Sequence, residues 1–153
     1  MNKKPISPTT HAIIDYAFAA VQIAGPSLLK LEPRAIKTYA QMGTAFLAVN
    51  SVTDTPLTVE PQISFRTHQK IDLGFLAVQA LMVITPMVRR SNKTLFFHLG
   101  FLALAGANYL LTNYKAGSSR IVTPHQEMLS SLTNSEKETL TRANGASLAG
   151  IDQ

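Results

Sequence analysis

The apolar positions of this chain gather into four long runs, Ala12 to Leu29, Lys37 to Thr53, Ile71 to Val88 and Thr94 to Thr112. Each approaches the ~20 residues that a helix needs to cross a hydrocarbon core of ~30 Å. Within them the only acidic residues are Asp15 and Asp72, and Lys37 stands at an edge. The third and fourth runs are the most lipid-like. The second, carrying Gln41 and Asn50 among small residues, is expected to insert as a hairpin with a neighbour, its Ala40, Gly43, Ala45 and Ala48 allowing close helix packing. The pattern predicts an all-α fold, a four-transmembrane-helix bundle.

The runs are related in pairs. Aligning HAIIDYAFAAVQ (11 to 22) with HQKIDLGFLAVQ (68 to 79) gives identity at seven of twelve positions, with an offset of 57; chance would supply about one. Gly43, Leu47 and Ala48 fall on Gly100, Leu104 and Ala105 at the same offset. The unit of duplication is therefore a helical hairpin, with repeat one at 11–54 and repeat two at 68–113. Two tandem copies with two spans each share one orientation, a parallel duplication rather than an inverted one. Residues 1–114 form the predicted membrane domain, and 115–153 a polar C-terminal tail. The duplication also excludes a signal peptide for the first run, despite Lys3 and Lys4 before it, because a cleaved segment would not recur later in the chain.

Helical spacing aligns the repeated polar residues. His11, Asp15, Phe18 and Gln22 fall on one stripe, and His68, Asp72, Phe75 and Gln79 on its copy. His98, Phe101, Ala105, Asn108 and Thr112 follow similar spacing in the fourth run, and Gly43, Leu47, Asn50 and Asp54 in the second. Polar groups facing acyl chains are costly, so the stripes are expected to face one another. The polar cluster expected inside or at the edge of the membrane is thus His11, Asp15, Gln22, His68, Asp72, Gln79, His98 and Asn108.

Two chemistries fit that cluster. In one, Asp15 and Asp72 lie near the starts of their helices and accept hydrogen bonds from free backbone N–H groups and from the histidines one turn earlier. In the other, His11, Asp15, His68 and Asp72 converge on a divalent metal or a proton, or His11, His68 and His98 hold a haem. Gln22, Gln79 and Asn108 suit interhelical hydrogen bonds, and His98 suits a satisfied core histidine. Pro26 and Pro86 are expected to end or kink their helices.

Composition narrows the function classes. The 153 residues are 46% hydrophobic and only 15% charged, against roughly 25% charge in an ordinary soluble domain. The modest mean hydropathy of +0.11 reflects dilution by the polar tail. The absence of cysteine excludes disulfides, thiolate nucleophiles and Cys-ligated zinc. The net charge of +5 comes from basic residues standing singly or in small groups between apolar runs, a membrane-flanking pattern rather than a nucleic-acid-binding one. Those residues divide evenly between the two ends of the runs, so charge bias assigns no orientation. No nucleotide, phosphate, hydrolase or zinc-protease motif is present.

The paired HxxxD starts, the prolines near helix ends and the duplicated hairpin resemble the SPW-repeat family of bacterial integral membrane proteins over roughly residues 8 to 115. Gly25-Pro26-Ser27 and Thr85-Pro86-Met87 stand where that family has Ser-Pro-Trp, and the chain has no tryptophan. The resemblance implies a compact multi-pass protein of the bacterial inner membrane, in contact with lipid and open to a membrane-protein partner or a second copy of itself. The expected function is a structural, partner-binding or solute-handling membrane module without a cofactor. The alternatives are a metal- or haem-binding membrane enzyme or redox protein and a soluble apolar bundle. In the tail, Thr123-Pro124 and Ser135 with Glu138 are helix-start signals for two short helices, whose Met128, Leu129, Leu132 and Leu140 suit a surface or a partner, and His125 reads as a surface residue.

Overall fold

The computed structural model describes residues 4–58 and 60–117, together with Glu136 and Thr139. The chain divides into a unit of residues Met1–Ile121 and a second of Val122–Gln153. The helix-start signals at Thr123 and Ser135, the apolar tail residues and His125 lie outside the described residues.

The first unit is all-α. Its helices are α1 (Pro8–Leu28), α2 (Pro33–Ser51), α3 (Phe65–Met82), α4 (Pro86–Arg89) and α5 (Asn92–Leu111), followed by a 3-10 turn at Tyr114–Ala116. Among the described residues there is no strand, only two isolated bridges. At 1.5 Å per residue the 18 to 21 residues of α1, α2, α3 and α5 give lengths of about 27 to 32 Å. Of these, only α5 is both long and apolar enough by composition to cross a membrane.

The helix starts differ from expectation. Neither aspartate is a cap: α1 begins at Pro8 and α3 at Phe65, so each aspartate is the eighth residue of its helix, beyond the free N–H groups of the first turn. The caps are Ser7, whose Oγ accepts from the Thr10 N–H, and Ser64, which accepts from the Thr67 N–H. The repeat thus includes S-x-x-T ahead of each histidine. The ends differ as well. The third apolar run is two elements, since α3 stops at Met82 and Pro86 opens α4 at a position where its missing N–H costs nothing. Pro26 lies inside the last turn of α1, which closes with Lys30 at φ 54° and bonds from Lys30 N–H to Ser27 and Leu31 N–H to Pro26. That is a Schellman closure, which satisfies the last carbonyls.

α1 packs chiefly on α2, and α3 on α5. Gly43 makes the first contact possible, because a Cβ there would stand 2.9 Å from Ala19 O, Gln22 Cβ and Ile23 Cγ1. The two hairpins are tied at their ends by a reciprocal exchange of backbone. Ile6, ahead of α1, bridges Thr112 after α5, while Ile63, ahead of α3, bridges Thr53 after α2. Ile6 and Ile63 keep the 57-residue offset, whereas Thr53 and Thr112 differ by 59, since repeat two has α4 and a longer connection between its helices.

The distribution of side chains is inverted relative to a water-soluble bundle. Among the described residues, the buried set holds fifteen polar or charged side chains and ten apolar ones. Leu28, Leu81, Ile84, Phe96, Leu104 and Leu110 are each more than 60% exposed.

Candidate metal centre

The reciprocal bridges bring the N-terminal parts of α1 and α3 together, and the duplicated histidines and aspartates meet there. His11 Nε2 lies 2.9 Å from Asp15 Oδ2 and 3.2 Å from Asp72 Oδ2, and His68 Nε2 lies 3.0 Å from Asp15 Oδ2 and 3.2 Å from Asp72 Oδ1. The hydrogen-bond alignment runs across the repeats, from His11 to Asp72 and from His68 to Asp15, rather than within each HxxxD. All four residues are at most 5% exposed, and one ligand atom from each lies within 4.8 Å of every other. A tetrahedron of nitrogen and oxygen ligands about 2.0 Å from a metal has edges of roughly 3.3 Å, close to the four histidine–aspartate separations.

An outer ring of partners fixes these groups. Thr112 Oγ1 lies 2.8 Å from His11 Nδ1, and Thr53 Oγ1 lies 2.9 Å from His68 Nδ1, so each imidazole is held by the hairpin end of the other repeat. Each threonine hydroxyl donates its one proton to the carbonyl a turn earlier, Thr112 to Asn108 O and Thr53 to Val49 O. The hydroxyls must therefore accept from the histidines, which places a proton on both Nδ1 atoms. In a neutral imidazole Nε2 would then carry a bare lone pair, yet both Nε2 atoms face carboxylate oxygens. Two lone-pair acceptors at 3 Å repel unless a cation, either a proton or a metal, stands between them.

The carboxylates are held in turn. Asn108 Nδ2 donates to Asp15 Oδ1 at 2.9 Å, and Tyr114 Oη donates to Asp72 Oδ2 at 2.7 Å. Burial, reinforced by Asp72, pushes the Tyr114 phenol well above its ordinary range, so it stays a donor. Phe65 stacks on His68 and meets His11 edge-on, and Tyr114, packed beside Phe65, also meets His11 edge-on.

His98 provides an internal contrast. Its Nε2 lies 2.8 Å from the backbone carbonyl of Gln79 and its Nδ1 2.7 Å from Tyr39 Oη. A carbonyl only accepts, so Nε2 bears the proton and Nδ1 accepts from the tyrosine. This is a complete set of bonds for a neutral imidazole. His98 is a satisfied core histidine, with no nitrogen left for haem or metal and no place in the four-residue cluster.

Of the eight residues singled out in the sequence, His11, Asp15, His68, Asp72 and Asn108 come together. Gln22 and Gln79 do not join them: they are fully buried two turns further along α1 and α3, their amides without partners, and Gln79 meets His98 through its backbone. Thr53, Tyr39 and Tyr114 are parts of the two polar arrangements that spacing alone missed. For Thr53 a signal existed, since Asn50 and Asn108 are each followed within four residues by a threonine. For Tyr114, beyond the last repeat, there was none.

No family model matches this chain, and no curated protein or solved structure matches it. The likeness to SPW-repeat proteins thus rests on the sequence motifs given above.

Proposed function

We propose that this chain is a four-span membrane protein whose His11, Asp15, His68 and Asp72 bind one divalent metal ion. The observation that carries the metal assignment is the pair of Nε2 atoms, each turned onto carboxylates by an Nδ1–H already committed to a threonine. Orientation of a ligating imidazole through its other nitrogen is characteristic of metal-binding histidines. Two neutral imidazoles and two carboxylates with one divalent cation sum to zero charge, which suits a buried site. The nitrogen and oxygen donor set suits Zn²⁺, Mn²⁺ or Fe²⁺ rather than a cation preferring sulfur.

The membrane assignment is supported by the inverted side-chain distribution. Polar residues line the interior while leucine, isoleucine and phenylalanine cover the outside, and charges on the long helices other than the two aspartates cluster near the helix starts, at Arg34, Lys37, Arg66, Lys70 and Lys93. A soluble bundle would carry charge along its outer faces. In lipid His11, Asp15 and Gln22 of α1 and His68, Asp72 and Gln79 of α3 are tolerable because they are turned inward, whereas α2 also carries Gln41 and Thr44 on its exposed side.

A second reading uses the same distances: both histidines are imidazolium ions clamped by the two carboxylates. It places four charges in a dry interior at a desolvation penalty of several kcal/mol per ion, and each Nε2–H then has two competing acceptors.

The experiment is a thermal-shift series on detergent-purified, EDTA-treated protein with micromolar Zn²⁺, Mn²⁺ or Co²⁺. Metal binding predicts stabilisation of the wild type, lost in both His11→Gln and His68→Gln and kept in His98→Gln. A wild type indifferent to all three ions, with the two variants merely less stable, would establish the clamp instead.

A further inference from the structure

We infer that the metal centre is open: it keeps one coordination position for a water molecule, held in a small cavity beside the cluster by Asn108. This rests on the metal assignment above and adds to it a site for an exchangeable ligand.

Two deficits meet at this point. A cavity with room for about one water adjoins His11, Asp15, Asp72 and Asn108 on its polar side, with Phe46 and Phe101 among its apolar walls. Asn108 is 5% exposed, and its Oδ1 has no hydrogen-bond partner. The amide orientation is fixed, because Nδ2 donates to Asp15 Oδ1, and reversing it would set two oxygens against each other. The orphaned acceptor is open to a donor from outside the protein. A metal ion cannot donate, whereas a water bound to it turns a lone pair to the metal and a proton to Asn108 Oδ1. That water satisfies the amide, and its oxygen becomes a fifth ligand beside four from the protein, one more than a closed structural zinc site holds and the number a catalytic zinc reaches when its shell expands. Phe18, Phe46, Phe75 and Phe101 on the cavity walls offer it no hydrogen bond. The ligand class admitted is a water-sized molecule that carries a proton for Asn108 Oδ1, water itself or hydroxide.

The test uses Co²⁺-loaded protein in detergent, its electron paramagnetic resonance lines compared in ordinary and ¹⁷O-enriched water, and cobalt content measured after desalting. The expected result is line broadening by the ¹⁷O nucleus at unchanged cobalt content. Ala105→Leu, on the cavity wall but not a ligand, should bind cobalt as the wild type does and lose the broadening. Bound cobalt whose lines ignore ¹⁷O would overturn the open position and leave the metal assignment standing. Equal broadening in Ala105→Leu would also overturn it, since the water would then be reaching cobalt by another route. Failure to bind cobalt at all would remove the metal assignment, and this inference with it.

Discussion

His11 and Asp72, sixty-one residues apart, meet at 3.2 Å in the interior of the bundle, and the duplicated pair His68 and Asp15 meets at 3.0 Å in return. Each repeat thus supplies a histidine to the other's aspartate and a terminal threonine to the other's histidine. Neither hairpin contains a complete site. A single hairpin would present one imidazole and one carboxylate without the groups that orient them.

The outward apolar surface can be tested by charge. Leu104, in the middle of α5 and 62% exposed, should face lipid. Leu104→Lys is expected to cost about 2.5–3.5 kcal/mol of insertion free energy and to lower the fraction retained in carbonate-washed membranes. Full retention of the wild type is expected in the same assay. A wild type recovered as a monodisperse soluble protein without detergent would contradict the membrane assignment.

The threonine supports should act symmetrically. Thr53→Val and Thr112→Val each leave a buried Nδ1–H without an acceptor, at a cost of about 1–3 kcal/mol. Each should also weaken metal binding by roughly 10–100-fold, the usual effect of removing the group that orients a ligand. Equilibrium dialysis against Zn²⁺, alongside thermal melts of both variants, measures the two effects separately. Stability loss with unchanged affinity would assign the threonines to packing alone.

The two glycines that share the 57-residue offset, Gly43 and Gly100, should respond differently to substitution. Gly43→Ala places a Cβ against the α1 backbone and is expected to destabilise by about 1–3 kcal/mol. Gly100→Ala meets nothing within 4 Å and should be neutral or, by removing a helix-interior glycine, stabilising by up to about 1 kcal/mol. Thermal melts of the two variants in one detergent compare them directly; equal losses would contradict the packing described here.

Much of the architecture was legible in the chain. The apolar runs located the four long helices to within a few residues at most ends, and the offset of 57 relates the starts of α1 and α3, whereas Thr53 after α2 and Thr112 after α5 stand at 59. Periodicity did not reveal α4. A short helix opened by Pro86 has only one turn, too little to impose a pattern, and the apolar run passes through it unbroken. The helix starts were misjudged because hydropathy begins at Ala12 and Ile71, while the backbone begins to coil at the serine caps, in polar sequence that apolar counting ignores.

What the sequence determined by itself is which side chains share a helix face, because that follows from local geometry: three and four residues return to the same side of a helix. It therefore placed His11 with Asp15 and His68 with Asp72, and turned both pairs inward. Only the tertiary structure decided that the bonds cross between repeats, that Thr53, Thr112 and Tyr114 complete the site, and that His98 is satisfied by Tyr39 and a backbone carbonyl. Those choices depend on how the ends of the hairpins dock, through Ile6 on Thr112 and Ile63 on Thr53. The register of that docking shifts from 57 to 59 residues with the longer connection in repeat two, and no periodicity within a helix encodes a distance between helices.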